Sequence, residues 1–343
     1  MALKKMMLKQ LLFVLIICSF QLNSVAQNLY PFFQKKYGYI DQSGKVIIAP
    51  QFEFAEKFSE GLAFVKKDGK RGFIDVTGKM IISPQYDQKV DSYFSEGLAC
   101  VKQGIKYRYI DKTGTMILEP NCDHAYVFSE GMAKMQIDFK FVYIDKTGNI
   151  AINAPFEGGW DFKEGLARVK RNGKWGFIDK TGKVIVDYKF DEASDFSEGL
   201  ASFRIGDNGK YGFINKKGEV VISPQYDKAL GFSEGLASVR MGDFKTGKWG
   251  YIDKIGMMII PATFTGAYSF NEGLACIATT ELVNGSLKNA KWQYIDKTGR
   301  VVVSRGADYY VDFKNGLAYV SYDGILTYID KTGQSVWTGT NEQ

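Results

Sequence analysis

The chain has 343 residues, 45% of them hydrophobic and 24% charged, with a net charge of +6; that globular balance excludes disorder over most of its length. Its surpluses are 37 Gly, 25 Phe and 20 Tyr, set against 7 Pro and 1 His, the recipe for many short strands joined by tight turns. One histidine excludes His-rich metal sites and leaves Ser-His-Asp or Cys-His catalysis only one residue to use.

Residues 1–26 differ from the rest. Lys4, Lys5 and Lys9 form a basic start, Leu11 to Phe20 is an apolar run, and Ser24-Val25-Ala26 ends in small residues. This order predicts a secretory signal peptide cleaved near Ala26, and hence an extracytoplasmic protein: periplasmic, secreted or cell-surface. The run of about ten residues is short for a membrane span, and Cys18 follows the bulky Ile17, against lipidation. No long apolar stretch follows, so no transmembrane segment is expected in the mature chain. Cleavage removes three lysines and no acid, taking +6 to +3. The remaining lysines are spread among acids, so no nucleic-acid partner is expected.

Residues 27–343 read as one repeat domain. Tyr37-Gly-Tyr-Ile-Asp-Gln-Ser-Gly44 recurs as Arg71–Gly78, Tyr107–Gly114, Phe141–Gly148, Trp175–Gly182 and Tyr211–Gly218, with further copies ending at Gly256, Gly299 and Gly333. The nine closing glycines are 34 to 43 residues apart, a spacing that marks repeat architecture. Phe58-Ser-Glu-Gly-Leu-Ala63 and Ile82-Ser-Pro-Gln-Tyr-Asp87 keep the same period. Within one unit, Leu166–Lys170 alternates as a half-buried strand does, Asn172-Gly173 is a tight turn, Trp175–Asp179 a second strand and Lys183–Val186 a third. Each unit is thus an antiparallel meander with room for a short fourth strand in the return.

The recurring Lys174-Trp-Gly-Phe-Ile-Asp-Lys-Thr-Gly182, with Phe-Ser-Glu-Gly-Leu-Ala and Ser-Pro-Gln-Tyr-Asp, resembles the WG-repeat (KWG-repeat) family of bacterial proteins over residues 29–340. The resemblance implies a repeat fold and no particular activity. Arg108, Val142, Gln293 and Thr327 replace the glycine of the Trp-Gly pair, which speaks against that pair as a fixed binding element. Two all-β architectures fit nine units: a closed, β-propeller-like ring, and an open β-solenoid of stacked hairpins. Neither end carries an evident polar cap, which favours the ring. The segment Thr279–Asn289 reads as an inserted loop.

Several positions invite chemistry. The acid of Phe-Ser-Glu-Gly recurs as Glu60, Glu96, Glu130, Glu164, Glu198, Glu234 and Glu272; a local turn accounts for it, and an acidic rim is the functional alternative, with Glu164 and Glu198 as its candidates. Trp175, Trp249 and Trp292 share one repeat position, where rings either form the core between units or stack on sugars. Trp160, in Glu157-Gly-Gly-Trp160, is off-pattern and so the more informative aromatic. Cys122-Asp123-His124 imitates a catalytic cluster, but Cys122 only replaces the usual aromatic. The Asp-Lys-Thr-Gly turn has one acid where a calcium loop needs several. No phosphate loop, metal site or cofactor is expected, and the three mature cysteines form one disulfide at most.

These features describe a secreted, non-enzymatic repeat scaffold for protein or glycan binding at the bacterial cell envelope. A carbohydrate- or cell-wall-binding module is the narrower alternative. A propeller-type hydrolase or lyase is the third, disfavoured because few residues break the repeat symmetry.

Overall fold

The computed structural model describes residues 28–87, 92–243, 245–279 and 292–339. The expected leader lies outside them, as does the inserted loop after Thr279. The described residues form strands and turns, with no helix, in nine antiparallel sheets, seven four-stranded and two three-stranded. Strand order in every sheet follows the chain, so each is a simple meander. The fold is of the β-propeller type, one blade per repeat. Contacts divide the chain into two compact units, one ending at Glu119 and one beginning at Pro120. The first contains three blades, the second six.

The fifth blade shows the plan. A lead strand, Gly158–Gly159, precedes Leu166–Arg171, Lys174–Asp179 and Val184–Phe190. The lead strand is the short fourth strand expected in the return. The first hairpin closes through Asn172 and Gly173, both at positive φ, as the Asn-Gly pair requires. The second turn is organised by Asp179. Its Oδ1 accepts the Thr181 N–H at 2.9 Å, the Thr181 hydroxyl at 2.6 Å and the Lys183 N–H at 3.0 Å. The Thr181 hydrogen bond, with the amides, outweighs burial and holds the carboxyl below its ordinary value. Gly182 sits at φ +83°, and a Cβ there would also lie 3.1 Å from Ile152 of the preceding blade.

The glycine of the Trp-Gly pair has a separate cause. Trp175 pairs with Phe190 and Phe177 with Val186, so the three residues from Trp175 to Phe177 face the five from Val186 to Phe190. That bulge brings the last strand's backbone over the middle one. A Cβ on Gly176 would be 2.7 Å from the Val186 carbonyl oxygen, and one on Gly72 only 2.3 Å from that of Ile82. Val142 and Gln293 occupy this place in blades with the same register, so the bulge does not by itself require glycine. At Arg108 the bulge is lost and the last strand shrinks to Met116–Leu118.

The cores lie between successive blades. Phe177, Val186 and Phe190 of the fifth pack with Phe196, Ala201, Phe203 and Ile214 of the sixth. Blades between two neighbours therefore bury both faces, which corrects the half-buried reading of Leu166–Lys170: Leu166, Ala167 and Val169 are all buried. Neighbours are also hydrogen-bonded. Tyr39, Tyr143, Tyr251 and Tyr294 are fully buried, and their hydroxyls donate to the carbonyls of Glu56, Trp160, Tyr268 and Val311 in the following blade.

Candidate functional site

The recurring glutamates form clasps. Ser197 and Leu200 exchange both backbone hydrogen bonds across Glu198-Gly199, and both turn residues have positive φ, a two-residue turn that ordinarily excludes glutamate. Its side chain explains the choice. Glu164 accepts the N–H groups of Glu198 at 2.6 Å and Gly199 at 3.0 Å in the next blade, and lies 3.0 Å from Lys216 there. Glu198 repeats this with Gly235 at 3.0 Å and Lys254 at 3.0 Å. Glu60, Glu130, Glu234 and Glu272 each hold the next turn and a lysine in the same way. Ser197 and Ser233 add hydroxyl bonds to the carbonyls of Phe232 and Phe270. Glu164 and Glu198 thus hold neighbouring blades together, and their carboxylates are already engaged.

Burial raises the carboxyls of Glu164 and Glu198, but lysine and amide contacts outweigh it and hold both below the ordinary value. A depressed folded-state pKa stabilises above the unfolded pKa, and that contribution disappears as pH falls through the folded one. Stability should therefore hold above the ordinary glutamate value of about 4.5 and decline below it. Glu198→Ala should cost about 1–3 kcal/mol, because it leaves the Gly235 N–H without its acceptor. Glu198→Gln should cost less and flatten the acid decline. Urea unfolding at neutral and acid pH measures all three; an Ala variant as stable as the parent refutes the clasp.

The other predicted aromatics divide. Trp292 is 9% exposed and belongs to the core between the last two blades. Trp249 is half-buried against a core that includes Tyr251 and Phe270. Trp175 is also half-buried, against the core with Phe177 and Phe196, for the reason that a blade buries its faces on its neighbours. Trp160 is 47% exposed. Its unusual sequence has a steric basis: a Cβ on Gly158 would be 2.9 Å from the Trp175 ring, and one on Gly159 3.0 Å from the Tyr143 hydroxyl.

Around Trp160 lies a layer that the sequence reading did not identify. Lys134 and Arg168 follow Gly-Met-Ala and Gly-Leu-Ala in consecutive blades, where other copies have Phe64, Cys100, Ser202, Ser238 or Cys276. The Lys134 side chain is only 10% exposed, with its Nζ 3.2 Å from Asp161. Arg168 Nε is 3.2 Å from Asp195, one guanidinium nitrogen donates to the Ala193 carbonyl, and Lys163 is 3.5 Å from the second Asp195 oxygen. Burial lowers the Arg168 pKa, with Asp195 opposing. Lys134 Nζ is 4.3 Å from the Tyr126 ring centre and 5.2 Å from that of Trp160. Arg168 Cζ is 4.8 Å from Trp160 and 4.7 Å from Trp175, with Lys170 Nζ 5.7 Å from Trp175. Aromatics and cations alternate over six side chains, each contact favourable, beside two carboxylates. The arrangement offers a half-exposed indole with donors and acceptors around it, the equipment of a binding site. The signal available in the sequence was the variability of that buried position.

Cys122, Asp123 and His124 do not form a catalytic centre. Burial, with Asp123, pushes the Cys122 thiol up to about 11. Asp123 accepts the Asp138 N–H at 2.8 Å, holding a hairpin, and His124 is exposed on the lead strand of its blade. Among the described residues no three His, Cys, Asp or Glu side chains are grouped to hold a metal ion, and no helix is long and apolar enough to cross a membrane.

Blades of this construction, tied by recurrent clasps, define a tandem-repeat β-propeller protein. The family model for the WG containing repeat matches residues 37–70, 72–107, 107–140, 143–175, 175–208, 211–243, 249–278 and 292–324. The chain belongs to the WG-repeat family. No curated protein matches the sequence. A solved structure titled as the eukaryotic initiation factor is similar at TM-score 0.64 and 12% identity, over 91% of this chain and 96% of that one; the likeness concerns the fold alone. Citrobacter koseri AztD is similar at TM-score 0.45 and 13% identity, over 89% and 92% of the two chains. Moraxella catarrhalis BamB is similar at 0.38 and 9%, over 92% and 95%.

Proposed function

We propose that this protein is an exported, non-enzymatic recognition scaffold of the bacterial cell envelope, binding a protein or glycan at the layer around Trp160. The observation that carries the reading is the half-exposed, off-pattern Trp160 with Lys134 and Arg168 against its ring, whereas Trp175, Trp249 and Trp292 at their shared repeat position pack against the cores between blades. Export rests on the sequence of residues 1–26. The non-enzymatic part rests on the single histidine and on recurrent carboxylates tied into turns and clasps.

The test is capture from native envelope fractions by immobilised mature protein, in parallel with a glycan array. Saturable capture that Trp160→Ala reduces at least tenfold, with folding intact by circular dichroism, is the expected outcome. Capture indifferent to Trp160 removes the assigned site. Recovery of the chain with residues 1–26 intact in the cytoplasmic fraction removes the export.

A further inference from the structure

The layer around Trp160 has a counterpart three blades on. Tyr268 stands two residues before Phe270 as Trp160 stands before Phe162, and Tyr126 before Phe128. The backbone confirms the equivalence: the Trp160, Tyr268 and Tyr126 N–H groups donate to the carbonyls of Arg168, Cys276 and Lys134 at 3.0, 3.0 and 3.3 Å. Trp292 corresponds in turn to Trp175. The Tyr268 ring lies 5.4 Å from Trp292 and 4.8 Å from Tyr310. Tyr268 is 37% exposed and the adjoining Tyr309 53%. Both aromatic platforms belong to the unit beginning at Pro120 and occupy equivalent blade positions.

The platforms differ in charge. Lys134, Lys163, Arg168 and Lys170 accompany Trp160, against Asp161 and Asp195. Glu157 also acts on Lys170, but its carboxylate accepts the N–H groups of Asn172 and Gly173. Cations exceed acids even with Glu157 counted, and Lys170 makes no ion pair among the described residues. The platform with Tyr268 has no cation over its rings among the described residues. One site thus offers a flat ring with surplus positive charge, and a second, repeated site offers flat rings near the Asp312 carboxylate, with no cation over them among the described residues. A ligand that presents the same ring-shaped unit more than once, and carries negative charge, matches both.

We infer that this unit binds an acidic polysaccharide, one sugar of the chain resting against Trp160 with its anionic group toward Lys170, and another sugar of the same chain resting against Tyr268. The inference rests on the recognition reading above and specifies its ligand. Sugar rings present C–H faces to aromatic rings and hydroxyls to the flanking charged groups. Two separated contacts on one polymer raise the overall affinity above either alone. Basic groups that track a phosphate backbone, which single-stranded nucleic acid needs, are absent around Tyr268 among the described residues.

Affinity electrophoresis of the mature protein tests the inference, with polygalacturonate, its fully methyl-esterified form, heparin and poly-dT as probes. Polygalacturonate or heparin should retard the protein, the two arms distinguishing carboxylate from sulfate, while the methyl ester should bind about tenfold or more weakly. Trp160→Ala should weaken binding about tenfold. Lys170→Gln should weaken it less and reduce its salt sensitivity. Tyr268→Ala should weaken polymer binding by a larger factor than it weakens binding of a trigalacturonate, because only the polymer engages both platforms. Equal retardation by the methyl ester, tighter binding of poly-dT, or no retardation of folded protein by either acidic polymer overturns the inference. A defined protein partner that needs Trp160 would also overturn it while leaving the recognition scaffold standing.

Discussion

Replacing Phe213 with alanine should lower the unfolding free energy by about 3–5 kcal/mol, the range for truncating a fully buried phenylalanine. Phe213 lies in the sixth blade with its ring 5.0 Å from Phe232 of the seventh. Around it are Leu200, Ile222, Tyr226, Val239 and Ile252, which come from both blades. The cavity would therefore weaken an interface as well as a blade, and in a repeat protein the interface terms carry much of the cooperativity. Phe213→Leu should lose much less. Urea unfolding of the whole chain measures the effect as a shift in midpoint at unchanged slope. A loss under about 1 kcal/mol would mean that the blades relax into the space, contrary to a close-packed interface.

The legible part of this fold was its period. Nine glycines closing Ile-Asp-x-x-Gly or its variants placed the nine hairpins, and the strong Asn-Gly and Asp-x-Thr-Gly turns placed the strands around them. The glutamate of Phe-Ser-Glu-Gly was legible as structural, since a local need explains recurrence. That its carboxylate reaches the next blade's turn was not, because no pattern within one repeat reveals a contact between two. The same limit applies to Gly176. Its cause is the Val186 carbonyl brought over it by a bulge, while Val142 and Gln293 hold the same place in blades of the same register. The binding layer was half legible: Trp160 stood out by breaking the pattern. Arg168 and Lys134 did not, because cations on an alternating strand read as solvent-facing, and here the next blade covers them.

The second large effect should come from Arg168. Arg168→Ala removes the guanidinium from Asp195, takes the donor from the Ala193 carbonyl and strips a cation from two indoles. Lys163, at 3.5 Å, would be the nearest remaining charge to Asp195 among the pairs described here. Breaking a largely buried pair by removing one partner typically costs about 3 kcal/mol or more, since the other charge is left behind. Removing both is different. Arg168→Met with Asp195→Leu keeps the volume and should restore most of the lost stability, because an apolar pair avoids the desolvation cost. The repeat already contains that solution, with neutral Phe64, Cys100, Ser202 and Ser238 at the place of Arg168 and Tyr93, Val127, Gly231 and Ser269 at the place of Asp195. The blade thus has no structural requirement for a cation there. If the double variant is stable by urea unfolding yet fails to bind what the parent binds, the charge is present for recognition. If it binds as well as the parent, the cations around Trp160 serve no ligand, and the site reduces to the indole alone.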